Sequence, residues 1–153
     1  MTNIETRIEG SEKLIGIFGY WPSFHDAEVI DLHFWPGDVN PEEERYIFPV
    51  LTVKFHLWEM TNDVDGRGYL GTRYHTLSTV RFHDVYKFKM EGFNHQNPIF
   101  GLDISQQERS EGPSPVFEVI FRPVSFGVDA SLTCMRIEVL DTVLCTHDGV
   151  RIG

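Results

Sequence analysis

Lysine and arginine are scarce in this chain: 13 basic residues stand against 23 acidic ones, for a net charge of −10. A surface that holds phosphates needs basic side chains gathered in one place, so nucleic acid is not the expected partner and a basic protein suits the chain better. Cysteine is scarcer still. Cys134 and Cys145 are the only two; they lack metal-ligand spacing and are expected to be free, buried thiols in a reducing compartment. No apolar run approaches the length of a membrane span, and Met1-Thr-Asn-Ile-Glu5 has neither the basic nor the apolar region of a secretory leader, so the expectation is a cytoplasmic protein with no membrane partner. A Gly-x-Ser-x-Gly elbow and a phosphate-binding loop are also absent. Nothing in the sequence demands catalysis or a cofactor.

What is present is apolar and aromatic. With 153 residues, 41% hydrophobic and 13% aromatic, the chain is long enough to bury one core, and a single domain over residues 1–153 is expected. The charge is uneven: residues 1–50 hold ten acids and three bases, 51–100 five and six, 101–153 eight and four. The negative field is strongest over the first third, where it would orient a positive partner or simply keep the protein soluble.

Ser11 suits an N-cap, Leu14, Ile17 and Phe18 fall at helical spacing, and Gly19 provides the stop, so a two-turn helix is expected that must lay its apolar face on something larger. Residues 1–10 read as a short helix or an arm. Beyond Ala27 the pattern turns to period two. Strand one, Ala27–Trp35, sets Ile30, Leu32 and Phe34 against Val29, Asp31, His33 and Trp35. An exposed loop follows, from Pro36 through Glu42-Glu43-Glu44. Residues 47–58 form a strand with Leu51, Val53, Phe55 and Leu57 on one face, its beginning or an edge marked by Pro49. A hairpin over Thr61–Gly68 leads to a strand near Leu70–Leu77. Val80, Phe82, Tyr86, Phe88 and Met90 then share the core face of a further strand, interrupted by Asp84, whose carboxylate finds a partner or lies where the sheet opens. Shorter strands are expected at Ile99–Ile104 and Val116–Arg122, with a loop over Ser105–Pro115 between them. A last pair, Leu132–Leu140 and Val143–His147, would be joined through Asp141-Thr142. The fold class is mainly β (α+β with a minor helix): an antiparallel sheet of about seven or eight strands with the short helix packed on it.

The densest chemistry lies in Phe18-Gly-Tyr-Trp-Pro-Ser-Phe-His-Asp-Ala-Glu28, and two readings of it stay open. In one, Trp21, Pro22, Ser23, His25, Asp26 and Glu28 build a structural corner, Asp26 accepting backbone bonds and His25 bonding to a carbonyl. In the other, His25, Asp26 and Glu28, with Asp84 as a further ligand, form the site of a small metal-dependent hydrolase. His-Asp recurs at His83-Asp84 and His147-Asp148, but neighbours in a strand point to opposite faces, so the second pair is not suited to one ion. Asp63-Val-Asp-Gly-Arg-Gly68 lacks the remaining ligands of a calcium loop and reads as an acidic turn.

Trp21-Pro-Ser-Phe-His-Asp-Ala-Glu28 resembles a block of the bacterial immunity protein 50 family. Val80-Arg-Phe-His-Asp-Val-Tyr-Lys-Phe88 and Gly92-Phe-Asn-His-Gln-Asn-Pro-Ile99 are similar to that family's other block, so the likeness spans most of residues 12–122. The resemblance implies a cytoplasmic antidote, encoded beside a polymorphic toxin, that protects its own cell by binding the toxin domain; it implies no catalytic residues, metal or cofactor. Such an acidic, β-rich domain is suited to cover a basic cleft, that of a toxin nuclease above all. The candidate toxin contacts are Glu42, Glu43 and Glu44, then Asp63 and Asp65, all on expected loops.

Overall fold

A computed structural model describes residues 4–64, 66–107 and 116–152, with the backbone alone for Leu70. After a 3-10 turn at Ile4–Arg7, the helix α1 spans Glu12–Phe18, and ten strands follow: β1 Glu28–Trp35, β2 Asp38–Asn40, β3 Arg45–Ile47, β4 Val50–Val64, β5 Leu70–His83, β6 Tyr86–Glu91, β7 Ile99–Gln107, β8 Val116–Pro123, β9 Asp129–Cys134 and β10 Arg136–Leu144. The class is as expected, mainly β and antiparallel. The strands, however, divide into two four-stranded sheets, ordered β1-β4-β5-β10 and β6-β9-β8-β7, plus the two-stranded ribbon β2-β3.

Alternation places the core. Leu51, Val53, Phe55 and Leu57 of β4, Val80 and Phe82 of β5, and Ile137 and Val139 of β10 are buried against Phe117, Val119 and Phe121 of β8 and Leu132 of β9. Phe121 touches both Phe55 and Phe82, with ring centroids 5.7 and 6.4 Å apart, so the sheets face each other across one apolar layer. Helix α1 adds Leu14 and Phe18 to it. Gly19 closes the helix in the left-handed region at φ 86°, its N–H donating to the Ile15 carbonyl at 2.7 Å, as a C-terminal glycine should. Ser11 is helical itself and makes no side-chain cap.

Three departures from simple alternation have physical causes. In β1 the register skips at Ile30: Val29 faces Phe55 and Asp31 faces Lys54. This bulge turns Ile30 outward, 47% exposed, while Leu32 stays packed on the core; period-two counting has no means of seeing an extra residue. The expected strand from Val80 to Met90 is two strands in different sheets. Asp84 sits at φ 59° between β5 and β6, so it marks the point where the sheet opens and the chain crosses to the other layer. Likewise the last pair of strands is not joined through Asp141-Thr142. Those residues lie inside β10, opposite Thr79 and Ser78, and the real crossing is at Met135, whose N–H donates to the His83 carbonyl at 3.0 Å. Ser105–Gln107 also extend β7 beyond its expected end, while the rest of the expected loop, 108–115, lies outside the described residues.

Left-handed backbone at Asp84 costs a non-glycine residue about 1–2 kcal/mol, least for Asp and Asn and most for β-branched side chains. Asp84→Val should therefore lower the unfolding free energy by roughly 1–2 kcal/mol in urea melts, and Asp84→Gly should leave it within about 0.5 kcal/mol.

Candidate functional site

The two sequence blocks meet in space. Between α1 and β1 the chain turns at Phe24 and Asp26, both left-handed at φ 63° and 65°, and lies against the start of β7. The Asp26 N–H donates to the Ile99 carbonyl (3.0 Å), the Ile99 N–H to the Ala27 carbonyl (2.9 Å), the Val29 N–H to the Asn97 carbonyl (2.9 Å) and the Leu102 N–H to the Ser23 carbonyl (3.2 Å). One carboxylate oxygen of Glu28 accepts the Asn97 N–H at 2.9 Å. Asn97, only 4% exposed, satisfies its own amide by donating to the Asn94 carbonyl and accepting from the Asn94 N–H, both at 2.7 Å. A buried amide left unpaired would cost its desolvation, which is why this turn is so fully bonded. Phe24 plugs the corner from within, its ring 5.1 Å from Phe55 and 5.7 Å from Trp21.

The roles within the block differ from those expected. The Ser23 hydroxyl accepts the His25 N–H at 3.3 Å. His25 bonds to no carbonyl: its Nδ1 pairs with the Asp26 carboxylate at 3.1 Å, both side chains about half exposed, and its ring lies edge-on to Phe100. Thus it is Glu28, not Asp26, whose carboxylate takes a backbone N–H. Pro22 is buried and Trp21 half-buried. His25, Asp26 and Glu28 do not converge on one point, and Asp84 belongs to the crossing between β5 and β6. Among the described residues, no group of three or more His, Cys, Asp or Glu side chains is disposed to hold a metal ion. His83 turns away from Asp84 and bonds the Glu138 carboxylate at 3.0 Å; His147 pairs with Asp148 at 3.2 Å. Clefts of about 260 and 270 Å³ flank the corner, below the roughly 300–1,000 Å³ of ordinary small-molecule sites.

Two further clusters carry titratable groups. The Glu59 carboxylate accepts from both the Tyr20 hydroxyl and the Arg73 guanidinium. Those bonds hold Glu59 below the usual carboxylate range, and the same bond raises the Tyr20 phenol by favouring its neutral form. On the same β4-β5 arm, His56 is 6% exposed, its Nε2 3.0 Å from Nδ1 of His75, whose Nε2 lies 2.7 Å from the Thr72 hydroxyl. Trp58 stacks on His75 at an interplanar angle of 26°. Burial pushes both imidazoles below their ordinary value, with His147 adding like-charge repulsion and His75 doing so for His56. Of the thiols, burial raises Cys134 to about 12 and also raises Cys145, so neither is a nucleophile at neutral pH.

The candidate contact acids are placed as follows. Glu42 and Glu43 lie in a 3-10 turn, Pro41–Glu43, at the tip of the β2-β3 ribbon, and Glu44 follows it at φ 55°. The expected loop is therefore an ordered hairpin arm. Asn40 caps the turn, its side chain accepting from the N–H groups of Glu42 and Glu43 at 3.1 and 3.4 Å. Asp63 is exposed in β4, and Asp65 lies outside the described residues. Sequence reasoning missed the parts played by Asn97 and the His56–His75 pair. Asn97-Pro98 carried a signal, since an amide ahead of proline commonly ends in a bonded turn; the histidines, nineteen residues apart, carried none.

The arrangement defines a two-sheet β protein whose distinctive sequence blocks are spent on a corner between the sheets. Residues 10–143 match the model of the family described as immunity protein 50, and the chain belongs to that family of toxin-system immunity proteins. No curated protein and no solved structure matches it.

Two outcomes are expected of this geometry. Asn97→Ala should cost roughly 1–3 kcal/mol of stability in urea melts and Phe24→Ala roughly 3–5 kcal/mol. For the histidines the folded-state values lie below the unfolded value of about 6.5, so the unfolded chain binds more protons; stability is full above that pH and falls as pH drops through it. Melts at pH 7.5 and 5 should show that loss, and His56→Gln should reduce it; a pH-independent wild type would contradict the assignment.

Proposed function

We propose that this protein is a cytoplasmic, non-enzymatic antidote, acting as one domain, that binds a cognate toxin domain and neutralises it by occlusion. The family match over residues 10–143 carries this reading. The net charge of −10 supports it, because an acidic surface is complementary to the basic cleft of an enzyme that handles phosphates, and a toxin nuclease is the partner that fits best. Glu42, Glu43 and Glu44 are the first candidate contacts and Asp63 and Asp65 the second. The hydrolase alternative, built on His25, Asp26 and Glu28, has less behind it, since His25 and Asp26 pair with each other while Glu28 is bonded to the Asn97 N–H.

Co-expression with the toxin encoded beside the gene should restore growth, and the purified pair should form a complex in pull-down. Between low and high salt the association rate should fall by roughly tenfold, and less steeply for a Glu42/Glu43/Glu44→Gln triple variant. Failure to protect or to bind would overturn the reading.

A further inference from the structure

The β2-β3 arm buries nothing. Every residue from Pro41 to Phe48 is exposed, and Val39, Tyr46, Ile47 and Phe48 are each between 48% and 56% exposed. Val39 and Tyr46 are register partners, so their side chains share one face of the ribbon, while Ile47 takes the other. At the base of the arm Phe34 stacks on Phe88, 5.2 Å apart at 16°, and both Phe34 and Trp35 remain partly exposed. So many large apolar side chains on a segment without a core contact of its own are costly to leave in water unless something covers them.

The arm is held in shape without a core. Gly37, at φ 84°, brings the chain so close to the Ile47 carbonyl that an added Cβ would lie 2.4 Å from its oxygen. Asn40 caps the tip, and Arg45 is bound by the carboxylates of Asp38 and Glu43. Residues 38–47 hold four acids and one base, and that base is already paired, which leaves Glu42 and Glu44 as outward negative charge. Rigid aromatic anchors with a charged rim are the composition of a protein-binding hot spot.

We infer that this arm is the docking surface for the toxin domain, its apolar ribbon entering a cleft whose walls are basic and its acidic tip meeting those bases; the inference rests on the reading under "Proposed function". Charge selects the occupant. A second copy meeting arm to arm would bring two acidic tips together, and an anionic lipid surface would be repelled.

The test uses the full chain and the purified toxin domain encoded beside its gene, with association and dissociation followed by surface-based kinetics. Tyr46→Ala/Phe48→Ala should weaken binding at least tenfold, mainly through faster dissociation, with an unchanged melt. Glu42→Gln/Glu44→Gln should slow association and flatten its salt dependence. Phe126→Ala, an exposed residue in the turn between β8 and β9, should bind as wild type. Should the aromatic variant misfold, radical footprinting of the wild-type complex replaces it: protection of Tyr46 and Phe48 supports the inference and full reactivity overturns it. Wild-type affinity in both arm variants would overturn the docking surface and leave the antidote reading standing. No binding by the wild type would remove both. Light scattering that shows a dimer of the chain alone, lost in Tyr46→Ala/Phe48→Ala, would assign the arm to a second copy and overturn the inference.

Discussion

The pairing of Ser23–Val29 with Asn97–Leu102 is the constraint on which the two sheets depend. Each sheet is antiparallel and internally hydrogen-bonded, but nothing in a ladder fixes one sheet against another; apolar contact is non-directional and tolerates sliding. The backbone bonds between Ala27 and Ile99, Val29 and Asn97, and Ser23 and Leu102 supply the missing direction. They tie β1, at one edge of the first sheet, to β7, at one edge of the second. Phe24 then fills the wedge between the layers, and left-handed backbone on either side of His25 is what makes so sharp an entry possible. Gly127 completes the fit. Its backbone lies so close to the Pro98 carbonyl that any Cβ would collide with it.

A second relation follows from where β1 goes next. It begins at β7, bridging Pro98 through Glu28, and near its end places Phe34 on Phe88 of β6. Since β6 and β7 are opposite edges of the second sheet, β1 spans that sheet from side to side, so the layers cross instead of running alongside one another. Crossed layers need sharp passages between them. The passages at Asp84 and Met135 are neighbours, stitched by the bond from Met135 to His83.

Much of this was legible in the sequence because alternation on β4 and β8 is clean: Leu51-x-Val53-x-Phe55-x-Leu57 and Phe117-x-Val119-x-Phe121 each put one face in the core, and strand ends at Pro49 and Pro123 follow from proline's missing donor. The helix was legible from Leu14, Ile17, Phe18 and Gly19. What was not legible depends on single residues that break the period, or on contacts distant in sequence. Ile30 looks like a core residue until the bulge is seen. Val80 to Met90 looks like one strand because residues on both sides of a sheet crossing are apolar at the same parity. At the corner the residue types were readable but their partners were not: nothing local says that Glu28 takes a backbone bond from Asn97 while Asp26 turns to its neighbour His25. The arm reads as a loop because Pro36, Gly37 and Pro41 are turn formers, and its two strands, Asp38–Asn40 and Arg45–Ile47, are too short to show a period.

The exposure of residues 41–48 separates two kinds of sequence tolerance within one small chain. Replacements in the corner or the shared core are felt by the folding equilibrium, whereas surface replacements without special contacts usually change it by less than about 0.5 kcal/mol. At arm positions without such contacts, Glu42, Tyr46 and Phe48 among them, the polypeptide can therefore take new side chains while the body that carries it keeps its stability.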